Sequence, residues 1–144
     1  MTLGFSGTRD GMTPEQDYAV AKLIRDFNPT EAHHGDCVGA DAEFHDLIRT
    51  GTDASVIIHP PIKNTWRAFC TATYSREPKG YLARDRDIVD ETDRLVAAPK
   101  TFHQVSHSGT WYTIGYALSV GKPVTIVWPD GTVSDDFQPD TFTQ

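Results

Sequence analysis

The chain has 144 residues, 38% of them hydrophobic and 10% aromatic, which suits one globular domain rather than a disordered segment. Its formal charge of −7 opposes the basic stripe that a nucleic-acid backbone requires, so a bound anion has to be held by local geometry rather than a global field. Cys37 and Cys70 lack the spacing of a disulfide framework, no stretch approaches the ~20 apolar residues of a membrane span, and "MTLGFSGTRDG" has no leader-like region; a reduced, cytoplasmic setting without a membrane partner is the expectation.

In chain order, "TLGF" (2–5) reads as a brief strand ending in the loop "SGTRDGM". "TPEQDYAVAKLIRDFN" (13–28) opens with Thr13, Pro14 and Gln16, the N-cap, N1 and N3 of a capping box. Val20, Leu23, Ile24 and Phe27 recur at helical spacing and form its buried stripe. "EAHHG" (31–35) is a second strand, followed by the loop "DCVGAD" and a helix through "AEFHDLIRT" that Gly51 stops. "ASVIIHPP" (54–61) is a third strand. Residues 62–80 read as a loop with some helix. "YLARDRDIVDETD" (81–93) is a charged helix with Leu82, Ile88 and Val89 apolar. "RLVAAP" (94–99) and "PVTIVWP" (123–129) are the fourth and fifth strands, with a helix starting near Ser108 between them.

Alternating strands and helices imply a mainly parallel sheet of about five strands with helices on both faces, a single Rossmann-like α/β domain over 1–131 with a polar tail at 132–144. In such sheets ligands sit outside the carboxyl ends of the strands. Three loops fall there. In "SGTRDG" (6–11), Gly7 allows close backbone approach, Ser6 and Thr8 supply hydroxyls, and Arg9 a planar fork for phosphate. "HGDCVGAD" (34–41) is the second. "HSGTW" (107–111) is the third, where Ser108, Gly109 and Thr110 open a helix whose N-terminal amides and dipole suit an anion. Each loop alone is ordinary turn and capping chemistry; three on one sheet edge point to a small anionic ligand.

"GFSGTRDGMT", "HHGDCVGADAEFH", "IIHPP", "LARDRDIVDETDRLVAAP" and "SGTWYTIGYALSVGKPV", spanning about residues 3–131, together resemble the YspA-like branch of the SLOG superfamily, which also contains DprA and the LOG phosphoribohydrolases. The resemblance implies a domain that binds a nucleotide or nucleotide-derived signal, often in bacterial or phage conflict systems. LOG-type hydrolases follow the glycine-threonine loop with a catalytic glutamate; here Trp111, Tyr112 and Thr113 follow Thr110, which removes that carboxylate. The arginines that often flank "SGTW" in the YspA-like pattern are also missing, with His107 before it and Gly115 after it.

The expected ligand contacts are Ser6, Gly7, Thr8, Arg9, Gly35, Asp36, Gly39, Asp41, His59, Pro60, Arg84, Ser108, Gly109, Thr110 and Trp111, with no catalytic residue, metal or resident cofactor. Asp36 is an acceptor for sugar hydroxyls or a loop cap, and Asp41 a sugar acceptor or, preferably, the cap of the following helix. His59 faces the pocket or is structural, and Trp111 stacks on a ring or packs the core. The resemblance favours Arg84 as the arginine that reaches the ligand, whereas the bland account of Arg84, Asp85, Arg86, Asp87 and Asp90 is a solvated face with Arg86 and Asp90 paired. His33, His34 and Cys37 lack the second pair of a zinc site. The expected function is capture of a small phosphate-bearing nucleotide-derived ligand, by a homo-oligomer. The alternatives are an enzyme cleaving an N-glycosidic bond, with Asp36 or Asp41 as its carboxylate, and DprA-like nucleic-acid binding, which the net charge opposes.

Overall fold

The structure, a computed structural model, describes residues 1–139. The elements run β1 (Thr2–Gly7), α1 (Pro14–Phe27), β2 (Glu31–His34), α2 (Ala40–Gly51), β3 (Ser55–Ile58), β4 (Tyr74–Ser75), α3 (Tyr81–Asp90), β5 (Arg94–Ala98), α4 (Gly109–Ser119), β6 (Val124–Val127) and β7 (Val133–Ser134). Seven strands form one sheet in the order β4-β3-β2-β1-β5-β6-β7, and only β6 with β7 is antiparallel. The Rossmann-like α/β expectation holds. Among the described residues no helix is long and apolar enough to cross a membrane.

Two cores sandwich the sheet. Leu3 and Phe5 of β1, with Val96, Ala98 and Val127, pack under Val20 and Ile24 of α1 and Phe44 and Ile48 of α2. Leu95, Ala97, Val124 and Ile126 face the other way, against Val89 of α3 and Trp111, Ile114 and Ala117 of α4. Alternate residues of β5 and β6 therefore serve both cores, which is why these strands read as unbroken apolar runs. The chain leaves β1 toward β2 and β3 and then crosses to β5 and β6 on its other side. The strand order reverses at β1, so the crevice opens above the carboxyl ends of β1 and β5.

The structure departs from the sequence reading at the edges. Residues 62–80 form no helix; they contribute β4, which pairs with β3. This segment is pinned by Asp36, whose carboxylate accepts from Arg67 Nε at 2.7 Å and Cys70 N at 2.8 Å, while its carbonyl accepts from Ala68 N. The expected polar tail begins with β7; Thr125 Oγ1 donates to Asp135 Oδ1 at 2.6 Å, and Phe137 packs on Trp111 and Trp128. Residues 140–144 of that tail lie outside the described residues. Arg86 and Asp90 do not pair with each other. Arg86 Nη1 donates to Tyr112 Oη at 2.8 Å and Tyr116 Oη donates to Asp90 Oδ1 at 2.7 Å, so both tie α3 to α4. Leu82 is half exposed, and the buried stripe of α3 is Arg84, Asp85, Ile88 and Val89.

The capping box of α1 is complete. Thr13 Oγ1 accepts from Gln16 N at 3.0 Å, Gln16 Oε1 accepts from Thr13 N at 3.0 Å, and Thr13 Oγ1 also donates to the Pro129 carbonyl at 2.6 Å. That last bond joins the start of α1 to the turn after β6, 116 residues away in sequence. Thr13→Ala removes both bonds of the hydroxyl and is expected to cost about 1–3 kcal/mol, with Thr13→Ser recovering most of it. Urea unfolding of the two variants measures this; equal stability of Thr13→Ala and the parent would contradict it.

Candidate functional site

A cavity of about 540 Å³ lies over the carboxyl ends of β1 and β5. Its walls are the loop after β1 (Ser6 to Asp10), the loop after β2 (Gly35, Cys37, Asp41), the first turns of α3 (Tyr81, Leu82, Arg84, Asp85) and the segment from Lys100 to Trp111. The three loops that the sequence points to thus converge on one space.

The loop after β1 is shaped by α2. The Thr8 carbonyl accepts from Gly11 N and Ala40 N, and Thr8 Oγ1 accepts from Asp10 N at 3.1 Å. Gly39, at φ +87°, caps α2 with its backbone in a region closed to ordinary side chains, and a Cβ there would overlap the Arg9 carbonyl. Gly7 serves the same packing: a Cβ on it would meet Ala40 Cβ at 2.6 Å and the Phe5 ring at 3.0 Å, so its missing side chain makes room for α2. Arg9 lays its guanidinium over the Trp66 ring, 4.8 Å from the centroid. Lys100 Nζ pairs with Asp10 Oδ2 at 2.6 Å across the mouth, and that lysine draws the Asp10 carboxyl below its ordinary range.

On the opposite wall, Ser108 is the N-cap of α4, its Oγ accepting from Trp111 N at 3.2 Å. The amides of Gly109 and Thr110 precede the first intrahelical bond and so have no partner within the helix. They stand at the positive end of an 11-residue helix whose mouth faces the cavity. Trp111 is buried, donates Nε1–H to Thr101 Oγ1 at 3.0 Å and packs on Trp128 and Phe137, so it is a core residue with one edge on the cavity.

The floor is built around Arg84, which is 6% exposed. Its Nε donates to Asp85 Oδ1 at 2.6 Å, Nη1 to the carbonyls of Gly35 and His59, and Nη2 to Cys37 Sγ at 3.2 Å. Gly35 is required here, because any Cβ would overlap the guanidinium. Arg84 borders the cavity but is committed to the protein. Asp85, which the sequence suggests is solvated, is buried beside it. Asp41 is not the cap of α2; its Oδ2 accepts from Gly35 N at 3.2 Å and Cys37 N at 3.3 Å, and its Oδ1 has no hydrogen-bond partner. Burial pushes the Asp41 carboxyl up to about 7 and raises that of Asp85, in each case against the pull of Arg84.

Asp36, His59, Pro60 and Gly39 lie outside the lining of the cavity. Asp36 is wholly buried and engaged with Arg67 and Cys70, so the sugar-acceptor role expected of it has no opening there. Asp85, Lys100, Thr101 and Tyr81 line the cavity without having been singled out in the sequence. One signal was available for Asp85: it shares with Arg84, Ile88 and Val89 the helical stripe that packs inward.

His33, His34 and Cys37 do not converge. Two other groups bring ligand-type atoms within 4.8 Å of one another, His34–His45–Cys70 and His33–His59–Glu91. His34 Nδ1 accepts from Asp36 N at 2.9 Å, so Nε2 carries the proton and donates to His45 Nδ1 at 3.0 Å. His33 Nε2 donates to Glu31 Oε1 at 2.7 Å and Nδ1 accepts from His59 Nε2 at 2.8 Å, leaving His59 Nδ1 without a partner. These imidazoles form two separate hydrogen-bonded pairs, His33–His59 and His34–His45, on opposite faces of β2, with most of their lone pairs engaged.

No protein-family model matches the chain, and no curated protein matches it in sequence. Its fold is shared with solved structures. A molybdenum cofactor binding protein from the phototrophic bacterium Rippkaea orientalis is 19% identical with a TM-score of 0.68, covering 88% of this chain and 76% of its own. TM1055, a structural-genomics target, is 13% identical at 0.62, covering 85% and 71%. The molybdenum cofactor carrier protein of Chlamydomonas reinhardtii is 19% identical at 0.60, covering 87% and 74%. At these identities the likeness is one of Rossmann-like architecture.

Burial pushes His34 and His59 down from 6.5 to about 3, with neighbouring imidazoles adding to the shift. Both are neutral in the fold and take up protons on unfolding below about pH 6.5, so their contribution is lost as pH falls toward 3. Asp41, raised from 3.8 to about 7, works in the opposite direction: its contribution is present below about pH 4 and is lost as pH rises through 7. Three lowered imidazoles, His34, His45 and His59, outnumber the two raised carboxyls, Asp41 and Asp85, so the urea midpoint is expected to rise between about pH 4 and 6.5, more steeply in Asp41→Asn. A flat profile would mean that these rings are charged or hydrated in the fold.

Proposed function

We propose that the chain captures a small phosphate-bearing ligand, a nucleotide or nucleotide-derived molecule, in the crevice above β1 and β5. The observation that carries this reading is the convergence on one cavity of the amides opening α4, the loop after β1 and the rim cations Arg9 and Lys100. A chain with a net charge of −7 has no general attraction for anions, so a local site must supply it. Two proteins of the same architecture are a molybdenum cofactor binding protein and a molybdenum cofactor carrier protein, which supports a small-ligand role for the fold. The sequence motifs support placement in the YspA-like branch of the SLOG superfamily and a nucleotide-derived ligand within that role.

Isothermal titration with AMP, inorganic phosphate and unphosphorylated adenosine tests the proposal. AMP is expected to bind, adenosine at least about tenfold more weakly, and the Arg9→Glu and Lys100→Glu variants to lose at least about tenfold in AMP affinity, 1.4 kcal/mol. Both side chains are solvent-facing at the mouth, so the fold tolerates the change. Equal affinities for AMP and adenosine, or no loss in both variants, would overturn the reading. Asp41 and Asp85 also bring carboxyls to the cavity, as the bond-cleaving alternative requires. Recovery of unchanged AMP after incubation and denaturation supports capture, whereas new products support cleavage.

A further inference from the structure

We infer that His33, His59 and Glu91 form a binding site for a divalent cation of the zinc class, separate from the crevice and from whatever ligand it holds. None of the three lines the cavity.

The residues come from separate elements: His33 from β2, His59 from the loop after β3, and Glu91 from the end of α3. One ligand-type atom of each lies within 4.8 Å of the other two. Both imidazoles are buried, and Glu91, which is exposed, is the solvent side of the group. Glu31 Oε1 accepts from His33 Nε2 at 2.7 Å, so the His33 lone pair is on Nδ1, facing His59 Nε2 at 2.8 Å. A carboxylate behind an imidazole in this way is the usual support of a metal-ligating histidine.

Two ring nitrogens that face each other need one proton between them, and here His59 Nε2 carries it. A cation takes the place of that proton when His59 carries its own on Nδ1 instead. No bond opposes the exchange, because His59 Nδ1 has no hydrogen-bond partner among the described residues. Tetrahedral zinc, at Zn–N distances of about 2.0–2.1 Å, requires nitrogens about 3.3 Å apart, so the rings part by about 0.5 Å. Glu91 accepts from Arg76 Nε at 2.9 Å and Nη2 at 2.8 Å, both on Oε1, which leaves Oε2 for the ion. The charges around the pair are Glu31, Asp87 and Glu91 against Arg76 and Lys79, a balance that favours a cation.

The donor set selects the ion. Two imidazole nitrogens with one carboxylate oxygen suit zinc and its neighbours, whereas magnesium and calcium take oxygen ligands. The group His34–His45–Cys70 lacks the same freedom. His34 Nδ1 accepts from the Asp36 amide, so Nε2 must keep its proton and has no lone pair to offer. A bound ion would also reach the crevice indirectly, because the His59 carbonyl accepts from Arg84 Nη1 at 3.0 Å.

The test is isothermal titration of the chelator-treated full chain with zinc chloride and magnesium chloride, joined to the visible spectrum of the cobalt(II) form. One zinc ion per chain is expected, bound at least about a hundredfold more tightly than magnesium. Glu91→Gln is expected to weaken zinc at least about tenfold, and Arg76→Gln, which removes the cation competing for that carboxylate, to tighten it about threefold. Both side chains are solvent-facing, so the fold tolerates either change. The cobalt form is expected to show tetrahedral bands without a thiolate charge-transfer band. No zinc binding would overturn the inference, and a thiolate band would move the ion to Cys70 and overturn it equally. Zinc affinity unmoved in Glu91→Gln, or weakened in Arg76→Gln, would place the ion on other histidines, such as the exposed His103 and His107, and overturn it too.

Discussion

The buried guanidinium of Arg84 is the constraint on which the crevice depends. A charge this far from water is tolerated only when its donors are met, and here α3 contributes the arginine while the loop after β2, the end of β3 and Asp85 contribute the acceptors. The arrangement couples three elements that are distant in sequence. It also fixes local residue choices: glycine at 35, where any side chain would strike the guanidinium, and carbonyls of residues 35 and 59 turned toward the same point. Removing the arginine would leave Asp85 as an unpaired buried charge and Cys37 without its donor.

Because Arg84 is held inward, the groups left to meet the proposed anion are the first amides of α4 and the exposed cations at the mouth, Arg9 and Lys100. Chemical labour in the cavity is divided accordingly, with a positive rim and a floor of carboxyls around one guanidinium. Asp36 performs a third task. It sits at φ +54°, which aspartate tolerates better than most residues, and its carboxylate organises residues 66–70 into the wall that carries Trp66 to Arg9. The segment hardest to read in the sequence is therefore ordered by a residue thirty positions upstream.

Much of the fold was legible because its signals are local. The capping box of Thr13 and Gln16, the helical recurrence of Val20, Ile24 and Phe27, and the apolar runs of β5 and β6 each report their own structure. The three loops of the crevice were legible for the same reason, since glycines and small hydroxyls at strand ends obey a topological rule. What escaped depends on distant partners. β4 follows a segment that Asp36 pins through Arg67 and Cys70, and β7 leads to Phe137, which packs on Trp111 and Trp128. Asp85 looked like one charge among many in "ARDRDIVD"; its place on the helical stripe of Ile88 and Val89 was the one local sign, and the packing of α3 on α4 turns that face inward. Asp36 and Asp41, five apart around one glycine, could not be ranked by spacing, and the structure separates them by giving one a full set of donors and the other a free oxygen.

The central claim is that the amides opening α4, together with the loop after β1 and its rim cations, meet the negative charge and the buried arginine does not. Nitrogen-15 NMR during a phosphate titration tests it directly. The account predicts that the amide resonances of Gly7 to Arg9 and Gly109 to Trp111 shift together and saturably, while the Nε resonance of Arg84 stays in place. A shift of Arg84 Nε with those amides unmoved would contradict it.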